Sequence, residues 1–154
     1  MAIKKTIDGS VEPSGIPTTL AGEVTNEFKF NAGGVTHVSV KAKQGHKAVS
    51  KALPNNLASD NGFTLDRLVI NLMIKDQKNA AVTNFTTPFE LRIRYTPEDI
   101  STAGGKDKIK LAYWKAGKWV VFNKTDHNFK LEDNDFALVE LSSWPSDPPI
   151  AIGH

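Results

Sequence analysis

Pro88–Lys124 reads PFELRIRYTPEDISTAGGKDKIKLAYWKAGKWVVFNK, and this stretch decides the fold. Phe89, Leu91, Ile93 and Tyr95 alternate with Glu90, Arg92 and Arg94, the period-two pattern of an antiparallel strand with one apolar and one charged face. Thr96-Pro97-Glu98-Asp99 then opens a short helix. Thr96 is its N-cap, Pro97 its first residue, and Asp99 the third residue of a capping box. Gly104-Gly105 limits that helix to about residues 97–103. Ile109, Leu111 and Tyr113 next alternate against Lys110, Ala112 and Trp114. Lys115-Ala116-Gly117-Lys118 makes a turn, and Trp119–Phe122 returns. On this pattern Trp114 points outward and Trp119 packs between sheets.

Working toward the N-terminus, Phe63–Asp76 is the longest apolar run. Phe63, Leu65, Leu68 and Leu72 also fit helical spacing, but the β-branched content and the preceding Asn61-Gly62 favour a strand. That strand carries Leu68, Ile70, Leu72 and Ile74 on one face and Val69 and Met73 on the other. Glu23–Phe30 and Val35–Ala42 are joined by Gly33-Gly34 and read as a hairpin. Residues 1–22, rich in Pro and Gly after Ile7, read as a loop, an irregular edge strand or an arm that pairs elsewhere. Toward the C-terminus, Phe129 and Leu131 mark a short strand and Asp135–Ser142 the last strand. Residues 144–154 hold three of the eight prolines and read as an extended tail.

These elements predict an all-β fold, an antiparallel immunoglobulin-like β-sandwich of about seven to nine strands with one helical turn. The 154 residues suffice for one domain with its own core. Nineteen Lys and Arg against seventeen Asp and Glu leave a formal charge of +2, interleaved along the chain. No footprint for nucleic acid follows. No run reaches membrane-spanning length, and MAIKKTIDGS lacks the apolar core of a signal peptide. The absence of cysteine removes disulfides, thiolate metal sites and a cysteine nucleophile.

Thr87–Leu141 resembles the immunoglobulin-like β-sandwich domains that recur in bacterial surface proteins. The resemblance is carried by Pro88–Thr96, the short acidic helix at Pro97–Ile100, Lys108–Trp114, Gly117–Phe122, Asp126 and the strand Phe136–Leu141. It implies a sandwich in an extracellular or cell-surface setting, serving structure or contact with proteins, including self-association into a larger assembly. Some related domains cleave themselves at a His-Phe-Ser-like element. Here the place reads Leu141-Ser142-Ser143-Trp144 without the His, so cleavage does not carry over. An isopeptide staple is also discounted, because the closing strand offers no Asn.

Enzymatic motifs are missing from the sequence. There is no Gly-x-Ser-x-Gly elbow, no phosphate-cradling Gly loop with Lys-Ser/Thr, and no His pair at metal-ligand spacing. The chain is therefore read as no enzyme. Asp126, Glu132, Asp133, Asn134 and Asp135 form the densest group of oxygen ligands. Ordinary turn chemistry explains them, and the sharper alternative is a calcium ion on Asp126, Asp133 and Asp135. Trp114 and Trp144 are the candidates for a sugar-binding platform, with core packing as the competing role. Arg92, Arg94, Lys108 and Lys110 read as charged outer-face positions of neighbouring strands, or as a polyanion site.

Overall fold

The computed structural model describes residues 14–20, 23–43, 45–54, 57–59, 62–146 and 148–154. Of the N-terminal stretch read as a loop, an edge strand or an arm, residues 1–13 lie outside them. Eleven strands appear among the described residues: β1 (Ser14–Leu20), β2 (Glu23–Ala32), β3 (Val35–Lys43), β4 (Lys47–Lys51), β5 (Leu65–Lys75), β6 (Asn84–Arg94), β7 (Lys110–Lys115), β8 (Lys118–Val121), β9 (Lys130–Leu131), β10 (Phe136–Ser143) and β11 (Pro149–Gly153). Helix α1 spans Pro97–Ala103 and α2 spans Lys124–His127. The first sheet has the order β1-β2-β3-β6-β10-β9 and the second β4-β5-β11-β7-β8. All the pairings are antiparallel.

One apolar core joins the two sheets. Phe28, Phe30, Val38, Val40, Phe89, Leu91 and Ile93 come from the first sheet; Ile70, Leu72, Ile74, Leu111, Ile150 and Ile152 come from the second. The predicted hairpin between β2 and β3 turns on Gly33 and Gly34, at φ of 59° and 77°. Two successive left-handed residues give the turn whose twist matches the strands, and glycine takes that conformation without a Cβ penalty. The helix after β6 is also as expected. Thr96 Oγ1 accepts from the Asp99 N–H, and the Asp99 carboxylate accepts from the Thr96 N–H. Such a cap stabilises a helix end by about 1 kcal/mol, which matters for a helix of only seven residues.

Four expectations are corrected. The first concerns the tail: Pro149–Gly153 is β11, the central strand of the second sheet, with all five residues buried. Proline is tolerated there because it is the first residue of the strand, where a missing N–H costs least. The second concerns β5, which does not keep one phase. Ile150 pairs with Ile70 but Ala151 with Leu68, so a bulge inserts Val69. Val69 then joins the inter-sheet core, while Leu68 joins the cluster on the outer face of the second sheet.

The third correction concerns Trp119. The turn through Ala116 and Gly117 sets Trp114 directly opposite Trp119, so both indoles share the outer face of the second sheet. Leu53 and Leu57, from the described part of the β4–β5 connection, pack against that face, and the Trp119 indole N–H donates to the Ala58 carbonyl at 2.8 Å. The fourth concerns the cationic strands. Arg92 and Arg94 lie on β6 of the first sheet and Lys110 on β7 of the second, so they are not neighbours.

Candidate functional site

The outer face of the first sheet is built by register. Glu27 on β2 lies opposite Lys41 on β3, which lies opposite Glu90 on β6; one residue pair along, Lys29, Ser39 and Arg92 form the next row. The alternation that turns Phe28, Val40 and Leu91 inward turns these polar residues outward. Cross-strand neighbours of opposite charge each contribute about 0.2–1 kcal/mol. Together with Thr36, Arg94, Asn134 and Phe136 these residues line a cleft of about 390 Å³.

Much of the cleft floor is held in place by its own bonds. Arg92 donates through Nε to Glu132 at 2.9 Å and through Nη1 to Glu90 at 2.7 Å. Burial works against the Arg92 charge, but the bonds to Glu132 and Glu90 more than offset it and hold the guanidinium protonated more firmly than usual. Ser39 donates its hydroxyl proton to Glu27 at 2.7 Å. Arg94 Nε donates to the Thr36 carbonyl at 2.7 Å, and its guanidinium lies 4.3 Å over the Phe136 ring.

A second hollow of about 360 Å³ lies at the β3–β4 turn, among Lys43, His46, Asp76 and Lys78. His46 stands edge-on to Phe85 at 5.9 Å. Burial and the nearby Lys43 lower its pKa, with Asp76 opposing them.

The platform residues separate. Trp144 is 1% exposed, sits in the inter-sheet core against Phe89 and Tyr113, and donates its indole N–H to the Leu72 carbonyl at 3.0 Å. It therefore presents no ring face to a sugar, and its expected ligand role is withdrawn. Trp114 is partly buried and meets Trp119 edge-on at 5.1 Å, keeping some surface on the opposite side of the molecule from the charged cleft.

The proposed calcium ligands are not gathered. Asp126 lies in α2, where the Asn123 side chain donates to it and accepts from its N–H. Asp133 and Asp135 lie in the turn before β10, and the Asp135 carbonyl accepts from the Tyr95 N–H. Among the described residues no three His, Asp or Glu side chains are placed to hold a metal ion.

His127 has a structural task. Its Nδ1 accepts the Asn123 N–H at 3.0 Å, and its ring packs edge-on to Phe122. Burial lowers its pKa, partly opposed by Asp126. A folded pKa below the unfolded value of about 6.5 means the unfolded chain binds protons first as pH falls. The His127 contribution is thus present above that pH and is lost as pH falls through the folded value. An NMR titration is expected to place His127 below 6.5; a value at or above it would refute the acceptor role.

The cleft residues Glu27, Lys29, Thr36, Ser39 and Phe136 are not legible as a site, whereas Arg92 and Arg94 are, and Asn134 reads only as one of the oxygen ligands near Asp126–Asp135. For the residues on β2 and β3 the alternation gives the only signal, and the β3–β6 pairing that assembles the cleft spans some fifty residues. Among the described residues no helix is long and apolar enough to cross a membrane. Compared with known protein families, characterised proteins and solved structures, the chain matches none of them.

Proposed function

We propose that this chain is a non-catalytic interaction module, an immunoglobulin-like β-sandwich of the kind found in bacterial surface and secreted proteins. It would contact other proteins or further copies of itself, without inserting into a membrane or binding nucleic acid. One observation carries the proposal: the outer face of the first sheet is a preorganised charged surface. Its arginines are fixed by Glu90, Glu132, Thr36 and Phe136 before any partner arrives. Fixed side chains lose little rotamer entropy on binding, which favours recognition.

The extracellular setting rests on the resemblance over residues 87–141. Protease shaving and antibody labelling of intact source cells are expected to find the chain at the surface, and a cytosolic location would overturn that part. Sedimentation velocity over a range of concentrations tests the assembly form. A single species of 16.8 kDa throughout would exclude self-association.

A second reading, a carbohydrate-binding module, is favoured by one observation: Trp114 keeps part of its ring at the surface beside Trp119. A glycan array comparing the native chain with Trp114→Ala tests it, and equal binding by both would remove the Trp114 site.

A further inference from the structure

The cations of the first sheet's outer face are not all matched by carboxylates. Arg92 is neutralised by Glu90 and Glu132. Lys41 stands in register between Glu27 and Glu90. Arg94 and Lys29 differ. The Arg94 contacts to Thr36 and Phe136 take Nε and one ring face and supply no negative charge. Its two terminal nitrogens have no acceptor among the described residues. Lys29 lies opposite Ser39 and makes no ion pair among the described residues.

From this arrangement we infer that the cleft binds an acidic oligosaccharide, with Arg94 taking one of its carboxylate or sulfate groups and Lys29 a second. The stack on Phe136 and the bond to Thr36 fix the guanidinium plane. The end-on pair of N–H groups left over matches two oxygens of one oxyanion. Lys29 is in register with Arg92, so Arg94 stands two strands across and two residues along from it, about 12 Å between backbone positions, which is more than one acidic group spans. The ligand therefore carries acidic groups at intervals. Beside the two cations, the Thr36 hydroxyl oxygen, whose proton goes to Asn31, and the Asn134 amide supply partners that sugar hydroxyls require, while Ser39 stays buried on Glu27.

An acidic peptide fits less well. Among the described residues Phe136 is the only apolar side chain lining the cleft, and Arg94 covers it. Among the described residues the cleft offers no pocket for the apolar anchor that usually dominates peptide affinity. The inference rests on the reading of the chain as a binding module, but not on its location in the cell and not on Trp114.

The test is calorimetry and ¹⁵N NMR of the full chain with four probes: oligogalacturonate, a heparin-derived hexasaccharide, neutral dextran oligomers and polyglutamate. At least one acidic saccharide is expected to bind, shifting the Arg94 Nε resonance and amides of β2, β3 and β6; dextran and polyglutamate are not. The carboxylate and sulfate arms identify the preferred oxyanion. Lys29→Glu and Arg94→Lys are each expected to weaken binding about tenfold or more, the scale of one charge-assisted hydrogen bond. Lys124→Glu, the same charge reversal on α2, is expected to change it less than about twofold.

The inference is overturned if neither acidic saccharide binds, if polyglutamate binds as well, or if Lys124→Glu weakens binding as much as Lys29→Glu. Shifts confined to the Trp114 indole would also overturn it while leaving a binding module in place.

Discussion

Replacing Gly153 by alanine is expected to cost about 3 kcal/mol or more, the upper end of overpacking effects and beyond what side-chain adjustment can absorb. A Cβ on Gly153 would collide with the Thr64 carbonyl oxygen and stand 2.6 Å from the Phe63 ring. The oxygen cannot retreat freely, because Thr64 and His154 exchange backbone hydrogen bonds of 2.8 and 3.0 Å across the same contact. Nor can the ring, since Phe63 is 2% exposed and packs on Trp119 at 5.4 Å between centroids. Relief requires β11 to move away from the start of β5. Because β11 is the middle strand of the second sheet, that movement disturbs both β5 and β7. Urea denaturation should show a lower midpoint with a nearly unchanged slope. A loss below about 0.5 kcal/mol, the range of ordinary surface substitutions, would mean the close approach is not as described.

The same strand shows where sequence patterns run out. β6 was legible because one face is buried and the other wet, so Phe89–Tyr95 alternates visibly. β11 is buried on both faces, so Pro149–Gly153 has no alternation and looks like a Pro-rich tail. The Trp119 correction has a different origin. A two-residue turn places the residues flanking it opposite each other, so Lys115 faces Lys118 and Trp114 faces Trp119. Turn length therefore carries the correct answer: across a two-residue turn an outward Trp114 requires an outward Trp119. Leu68 was misplaced because a bulge reverses the phase of β5, and no residue at Leu68 or Val69 marks one. The charged cleft needed the order of strands in the first sheet, which depends on β3 pairing with β6 across an excursion through the second sheet. Local patterns show which way each side chain points along its own strand; they do not show which strands lie side by side.

Arg67→Ala is expected to cost about 3–5 kcal/mol near neutral pH, the scale of breaking a buried ion pair. Arg67, on β5 of the second sheet, donates through Nε and Nη2 to the two oxygens of Asp99 at 2.9 and 2.8 Å, and through Nη2 to the Arg94 carbonyl at 3.3 Å. Both side chains are nearly inaccessible, at 7% and 5% exposure. Asp99 simultaneously caps α1, the element that carries the chain from the first sheet to the second. The pair therefore ties the end of β6 and the start of α1 to the opposite sheet. Removing Arg67 leaves a buried carboxylate whose remaining partner among the described residues is Thr96. The pH dependence separates this from simple loss of packing. Burial pushes the Asp99 pKa up, but the bonds from Arg67 and Thr96 outweigh burial and hold it below the ordinary value. In the native chain the pair thus stabilises fully above an unfolded pKa of about 3.9, and the effect is lost as pH falls through the lower folded value. In Arg67→Ala burial acts without opposition from Arg67, and protonation relieves the stranded charge. The difference between the two proteins should accordingly shrink on going from pH 7 to pH 3. Urea titrations at the two pH values measure it directly. A penalty that stays constant across that range would show that Arg67 contributes packing and not charge.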